Sequence, residues 1–275
     1  MLTVQEVTES LKRLGINNGD AILIHSSFKS LGETENGADT VIKGMQKAVG
    51  ENGTVVFPTL CQDDWEHVYE NWTLDSKSDV GYLTNYFRTL PGVYRSNQAT
   101  HSVAAMGKMA EYITKTHGQS GQRYGIFGDT PFSADSPWEK MYNLDTKVIF
   151  VGVGIRKCTF RHYAEYCFIE KYLKRAEKSA KYEQLKRQVW HYDYWDEAGV
   201  WPHVNSEYVQ KVLESQGKIY KSVCGNAELL MVSSKDFVNT VFDLLEKKDI
   251  SVFSENHKIW NVEKTMKWLK EIEEL

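Results

Sequence analysis

The chain has 275 residues, of which 41% are hydrophobic and 25% charged, and its formal net charge is −4. That is enough apolar content for a full core and too well mixed for bulk disorder, and the mild negative charge argues against a nucleic-acid partner. Cys61, Cys158, Cys167 and Cys224 form no C-x-x-C pair and share no zinc-ligand spacing with histidine, so reduced thiols, no metal and a cytoplasmic protein are expected.

Residues 4–14 carry apolar positions at helical spacing, and Gly15 marks the stop. AILIHSS at 21–27 reads as a buried strand. Asp39 is the expected cap of a helix over 40–50, and 51–59 reads as a turn into a second buried strand. Helix, strand, helix, strand predicts an α/β sheet with helices on its faces. Further helices are expected at 79–90 and 109–118, and a short strand at 102–107. A helix over 136–144 is signed by Ser136 as N-cap, Pro137 at its first position and Glu139 three residues after the cap.

KVIFVGVG at 147–154 is an unbroken β-branched run bounded by glycine, and CTFRHYAEYCFIEKYL follows at once as a helix. The basic run at 171–187 reads as a solvated helix face rather than a phosphate patch. Residues 190–206 are aromatic and acidic with poor periodicity, so irregular structure or an edge hairpin is expected there. Two helices close the chain, at 233–248 and 261–275. No repeat or linker divides the sequence, and a single domain over 1–275 is expected. No apolar run approaches about 18 residues and no apolar leader opens the chain, so neither a membrane span nor a signal peptide is expected.

Several stretches can carry chemistry. His162 and Glu165 are three residues apart on one helical face, just after a buried strand, where open α/β sheets place their sites. They are either a base with its orienting carboxylate or a surface pair. Ser26, Ser27 and Ser30 follow a strand in HSSFKSLG and can hold a phosphate, or satisfy their own backbone. RSNQATHS groups Arg95, Ser96, His101 and Ser102, which suit an anionic cofactor or a polar structural loop. Asp63, Asp64, Glu66 and Glu70 lie among aromatics, a mixture suited to an amino sugar or to an exposed acidic loop. VGVG at 151–154 lacks the third glycine of a dinucleotide loop, because Lys157 stands there; neither a Walker A motif nor G-x-S-x-G is present.

The order HSSFKSLG, GTVVFPT, PGVYRSNQATHSVAAMG, then the FG and SPWEK segments, then FVGVGIRKCTFRHYAEY resembles the aminoglycoside 3-N-acetyltransferase family, over most of residues 1–170. The resemblance implies a three-layer α/β/α sandwich with a mixed, largely parallel central sheet. It implies transfer of an acetyl or similar acyl group from acetyl-CoA, or another acyl-CoA, to an amine of a small-molecule amino sugar, with no nucleic acid or membrane partner and a homodimer allowed. The family's R-S-N-H-P-T-H-S pattern stands here as RSNQATHS, with Gln98 and Ala99 replacing His-Pro and His101 kept. Its H-[LY]-A-E pattern is complete, which carries the catalytic base onto His162, with Glu165 or a downstream aspartate as orienting group. Ser26, Ser27, Ser30, Arg95, Ser96, His101 and Ser102 become the expected cofactor-binding residues. Asp63, Asp64, Glu66, Asp193 and Asp196 become the expected acceptor-binding ones. The stretch 190–201 reproduces no pattern diagnostic of antibiotic acceptors, so a nucleotide-linked amino sugar stays open, as does a non-catalytic member of the fold. Cys158, four residues before His162, keeps an acyl-cysteine route in view.

Overall fold

The computed structural model describes residues 1–63, 68–117, 131–190, 199–255 and 261–275. Its first half contains α1 (Val4–Arg13), β1 (Ala21–Ser26), α2 (Ala38–Val49), β2 (Thr54–Pro58), α3 (Val68–Asn71), α4 (Tyr82–Phe87), β3 (Tyr94–Arg95), β4 (Val103–Gly107) and α5 (Ala110–Thr114). Its second half contains α6 (Pro137–Asn143), β5 (Lys147–Val151), α7 (Phe160–Ala176), α8 (Tyr182–Trp190), α9 (Ser206–Ser215), β6 (Tyr220–Cys224), β7 (Ala227–Ser233), α10 (Ser234–Glu246) and α11 (Val262–Glu273).

The central strands are apolar on both faces because both faces are covered. Ile22 and Ile24 of β1 enter one apolar cluster and Leu23 enters the other. Val55 and Phe57 oppose Val56, Ile149 and Val151 oppose Val148 and Phe150, and Leu229 and Met231 oppose Leu230 and Val232 in the same way. This is the two-residue period of a strand buried between helical layers. α1, α2 and α4 supply the first layer. α5, α6, α7 and α10 contribute to the second, and α8, α9 and α11 extend the same cluster. None of the helices among the described residues is long and apolar enough to cross a membrane.

The strand order is β3-β4-β2-β1-β5-β7-β6. β1 pairs in parallel with β2 and with β5, while the other four pairings are antiparallel. A mixed, largely parallel sheet is the expectation. The sheet is mixed, and only β4 and β7 run against the other five strands, with four of the six neighbouring pairs antiparallel. Part of the reason is the β6–β7 hairpin, whose strands meet at Cys224 and Ala227 across the two residues Gly225 and Asn226, with Gly225 at φ +55°. A two-residue connection can only join antiparallel strands.

Other expectations are also revised. β6, β7 and α9 are absent from the elements expected from the sequence, while the basic run read as a helix face spans the end of α7 and most of α8. Asp39 does not cap α2; Gly37 holds the cap position, and Asp39 sits in the first turn paired with Lys43 at 2.7 Å. Ser136 does cap α6, its hydroxyl accepting from the Glu139 N–H. In the basic run, Lys171 and Lys181 pair with Glu246 and Glu271 on neighbouring helices. The described part of 190–206 holds no strand pair, only an isolated bridge between Val204 and Phe253.

Gly152 closes β5 at φ +61°, and a Cβ there would lie 1.8 Å from Ser30 Oγ. The loops leaving β1 and β5 meet at this point. Gly152→Ala should lower stability by about 1–3 kcal/mol, from the unfavourable φ and the collision together. Ser30→Gly in the same background should restore the steric part and leave the φ cost. Urea unfolding of the two variants separates them.

Candidate active site

β1 and β5 are parallel neighbours in register, Ser26 opposite Val151, so their carboxyl ends open side by side. Strand order reverses here: the chain leaves β1 toward β2, and β5 comes in on the other side. Such a switch point leaves a crevice at the strand ends. A cleft of about 470 Å³ occupies it, lined by residues including His25, Ser26, Gln62, Asp79, His101 and His162.

After Gly152 the chain makes a 3-10 turn over Ile155–Lys157 and starts α7, of which His162 is the third residue. The side chain of His162 is 32% exposed and that of Glu165 is fully buried. One helical turn joins them, with His162 Nδ1 3.0 Å from Glu165 Oε2. The same oxygen accepts from Trp201 Nε1 at 2.9 Å, and Oε1 accepts from the Val204 N–H at 2.8 Å. Arg161 Nε lies 3.7 Å from Oε1. Three donors surround a carboxylate that has no solvent. Burial pushes its pKa up, but His162, Arg161 and His203 outweigh that and hold it below the usual carboxylate range. The carboxylate therefore takes the proton on Nδ1 as its hydrogen-bond donor, and Nε2 is the basic nitrogen. Burial first, then the charge of Arg161, lower the pKa of His162 against the opposing pull of Glu165, which keeps the ring neutral near physiological pH.

The neighbours of the dyad are held for this geometry. His101 and Phe132 have ring centres 6.0 Å from that of His162. His101 Nδ1 meets Thr100 Oγ1 at 2.8 Å, its backbone N–H donates to Gln98 Oε1, and Trp138 Nε1 donates to its carbonyl at 3.1 Å. Burial drives the His101 pKa well below the ordinary value, so it too is neutral. His25 stacks on Phe150 at 5.3 Å, and burial brings it to about 3. Burial also pushes the Cys158 thiol up to about 12, which leaves little thiolate for an acyl-cysteine route. Among the described residues no three His, Cys, Asp or Glu side chains are grouped to hold a metal.

Of the expected cofactor-binding residues, Ser26 and His101 line the cleft. The other five are not among the residues that line it. The Ser27 N–H donates to the Val151 carbonyl, and the Ser30 hydroxyl donates to the Ser27 carbonyl at 2.6 Å. Ser96 Oγ joins His117 Nδ1 to the Val103 N–H, and Ser102 Oγ donates to the Thr59 carbonyl. Arg95 has its donors turned to the protein. Its Nε donates toward Thr59 Oγ1 and Ser102 Oγ, Nη1 donates to the Leu74 and Ser76 carbonyls, and Nη2 donates to the Thr59 carbonyl and Cys61 Sγ. A guanidinium has five N–H donors, and these contacts use all of them, leaving none for a phosphate.

Asp63 is exposed and off the cleft wall, its N–H donating to Asp79 Oδ2 at 2.9 Å. Asp64, Glu66, Asp193 and Asp196 lie outside the described residues. Sequence reading passed over Asp79, Arg156, Lys157 and Arg161, all on the cleft wall, and Trp201 and Val204, which hold Glu165. Arg161 carried a signal, a cation directly before the histidine. Trp201 carried only its place in an aromatic stretch.

Fold and dyad define a class: an α/β/α protein with a carboxylate-backed histidine on a strand-end cleft. A family profile described as aminoglycoside 3-N-acetyltransferase matches residues 23–246. The chain belongs to the aminoglycoside 3-N-acetyltransferase family. Aminoglycoside N(3)-acetyltransferase III of Salmonella sp is 29% identical over 182 residues, 60% of either chain. The aminoglycoside N(3')-acetyltransferase-like protein YokD of Bacillus subtilis, derived from the SPbeta prophage, is 31% identical over 185 residues, 60% of this chain and 65% of its own. The chain thus spans less than two thirds of the length of these curated relatives. Among solved structures, the apoenzyme of aminoglycoside acetyltransferase AAC(3)-IVa superimposes with a TM-score of 0.69 at 20% identity, covering 98% of both chains. A binary complex of AAC-IIIb with CoASH gives 0.69 at 20% identity, over 92% of this chain and 98% of that one. At such identities the likeness concerns the fold.

Arg95→Ala should strip hydrogen bonds from the Thr59, Leu74 and Ser76 carbonyls and lower stability by about 2–4 kcal/mol, measured by urea unfolding. Calorimetric titration of the folded variant with CoA should give a wild-type affinity. A weakened affinity with unchanged stability would return Arg95 to the cofactor site.

Proposed function

We propose that the protein transfers an acetyl or similar acyl group from acyl-CoA to an amine of an amino sugar. The observation that carries this reading is His162 on the cleft wall, with Nδ1 on a buried carboxylate and Nε2 left as the basic atom. A sugar amine is largely ammonium at neutral pH and attacks only after losing a proton. Nε2 accepts that proton, directly or through a water, while Glu165 stabilises the imidazolium that forms. The amine lone pair attacks the thioester carbon, the carbon–sulfur bond breaks as the tetrahedral intermediate collapses, and the surplus proton on nitrogen passes to the departing thiolate to give amide and thiol, while the imidazolium proton leaves to solvent. The developing oxyanion needs donors, and Ser26 is the hydroxyl of the HSS loop that lines the cleft. CoA brings its own activated carbonyl, so positioning supplies most of the rate and no protein nucleophile is required.

Arg156 and Lys157 are exposed on the cleft lining and take the phosphate-binding role expected of Arg95. Position 3 of an aminoglycoside is the acceptor site suggested by the names of the relatives. On that reading Asp79 and the acidic residues Asp63, Asp64, Glu66, Asp193 and Asp196 receive its ammonium groups. The nucleotide-linked amino sugar has one observation in its favour: the described cleft wall carries Arg156, Lys157 and Arg161 against Asp79, whose Oδ2 already accepts from Gln62 and Asp63 N–H groups.

Release of free thiol from acetyl-CoA over a panel of amines, including aminoglycosides and nucleotide-linked amino sugars, tests the reading. His162→Ala should lower kcat by about 10²–10⁴-fold while CoA still binds, and Glu165→Gln should cost less. The base works above its pKa, which burial and Arg161 depress. Wild-type kcat/KM should therefore rise with pH through a midpoint below the usual histidine value of about 6.5 and be level at neutrality. Wild-type turnover in His162→Ala would remove the dyad from the chemistry.

Replacing both Arg156 and Lys157 by alanine should raise the KM for acetyl-CoA about tenfold or more, since each charge-assisted contact is worth roughly 1.5–3 kcal/mol. The KM of an amino sugar that carries no phosphate should move little. Equal effects on both substrates would exclude a phosphate role.

A further inference from the structure

Both ring nitrogens of His162 are engaged. Nδ1 faces Glu165, and Nε2 lies 3.0 Å from Arg161 Nη2. A guanidinium donates and cannot accept, so the shared proton belongs to Arg161 and Nε2 provides the lone pair. That is the lone pair a general base needs. A protonated ring would turn Nε2–H against Nη2–H, donor to donor, so Arg161 opposes protonation for as long as it stays in place.

The arginine is not anchored like a structural one. Arg95 engages all five of its donors, mostly on carbonyls. Arg161 is 26% exposed and lines the cleft; its Nη1 reaches the Val204 carbonyl only at 3.5 Å, and among the described residues its buried Nε has no hydrogen-bond partner, with Glu165 at 3.7 Å. Among the described residues its shortest hydrogen bond is the one to the base.

We infer that Arg161 is a displaceable latch on His162: it occupies the Nε2 lone pair in the free protein and gives way to an N–H of the acceptor amine when substrate enters. The identity of that incoming donor rests on the acyl-transfer reading. The exchange is balanced, one hydrogen bond to Nε2 broken and one formed. The ammonium proton then moves to Nε2 along the new bond, leaving the nitrogen lone pair for the thioester carbon. Arg161 is thus a positioning residue. It fixes the tautomer from the Nε2 side as Glu165 does from the Nδ1 side, and it keeps the lone pair from being protonated before substrate arrives.

Among the described residues, the titratable and charged groups that face His162 are Arg161 and Glu165 from α7, His101 from the approach to β4 and His203 from the segment before α9. Asp79, Arg156, Lys157 and Cys158 line the same cleft. Burial lowers the pKa of His101 and of His203, so the nearest charges are the carboxylate of Glu165, which favours a protonated ring, and the guanidinium of Arg161, which disfavours it.

Arg161→Met keeps most of the side-chain length and removes both charge and donors. Arg161→Lys keeps the charge without the fork, and serves if the methionine variant folds poorly. Two measurements need neither acceptor nor turnover. In ¹⁵N-histidine NMR spectra, the His162 titration midpoint should rise in the methionine variant and fall between the two in the lysine variant. Carbethoxylation of His162 by diethyl pyrocarbonate, followed by peptide mass mapping, should speed up about threefold to tenfold in the methionine variant, the equivalent of one hydrogen bond released. In steady state, measured above the histidine titration range, the acceptor KM should fall by a similar factor while that of acetyl-CoA is unchanged. Unchanged midpoint and carbethoxylation rate would overturn the latch. A raised acceptor KM would overturn it too, making Arg161 a substrate-binding group. If no acyl transfer is found, the first two readouts still decide whether Arg161 masks the base.

Discussion

The rest of the site depends on the buried carboxylate of Glu165. A charge without water is tolerated in a protein interior only when donors replace its hydration shell. Here the donors come from three places in the chain: His162 one turn back, the Trp201 indole and the Val204 backbone. Meeting that one requirement ties α7 to the segment that leads into α9. It also decides which nitrogen of His162 carries a proton. The apolar packing around it, with Phe160, Tyr163, Ala164 and Phe168 of α7 in the same cluster as Val200 and Val204, keeps water from competing.

The sheet supplies the place and the dyad supplies the reactivity. β1 and β5 end together, and Gly152 lets the Ser30 side chain come where any Cβ would stand. The HSS loop and the turn into α7 can then face each other across one cleft. Buried histidines line it, and burial that holds His25 and His101 neutral also depresses His162. A cleft floored by neutral rings next to one ionised carboxylate concentrates the available basicity on a single lone pair.

Much of this was legible in the sequence. Unbroken runs such as 147–151 announce strands covered on both faces, and the complete H-Y-A-E places a histidine and a carboxylate one helical turn apart just beyond such a strand. The hairpin at 220–233 was not read, because β6 is short and mostly exposed and β7 carries an apolar run without alternation. The partners of Glu165 were not legible. Trp201 and Val204 are 36 and 39 residues away, and no local period reports a contact of that range. The protein partners of Arg95, Ser96 and Ser102 were not legible for a related reason: a loop that must satisfy many buried carbonyls and amides uses the same residue types as a loop that binds an anion. Only the partners distinguish the two, and partners are tertiary.

The grip of Arg95 has a further consequence. It holds the Thr59, Leu74 and Ser76 carbonyls, which belong to the main chain and are present whatever side chains stand there. A clasp on the backbone is blind to sequence. Side chains between Thr59 and Leu74 can exchange without loosening the two ends that the guanidinium holds. Within one scaffold, that separates the inheritance of a shape from the invention of a preference.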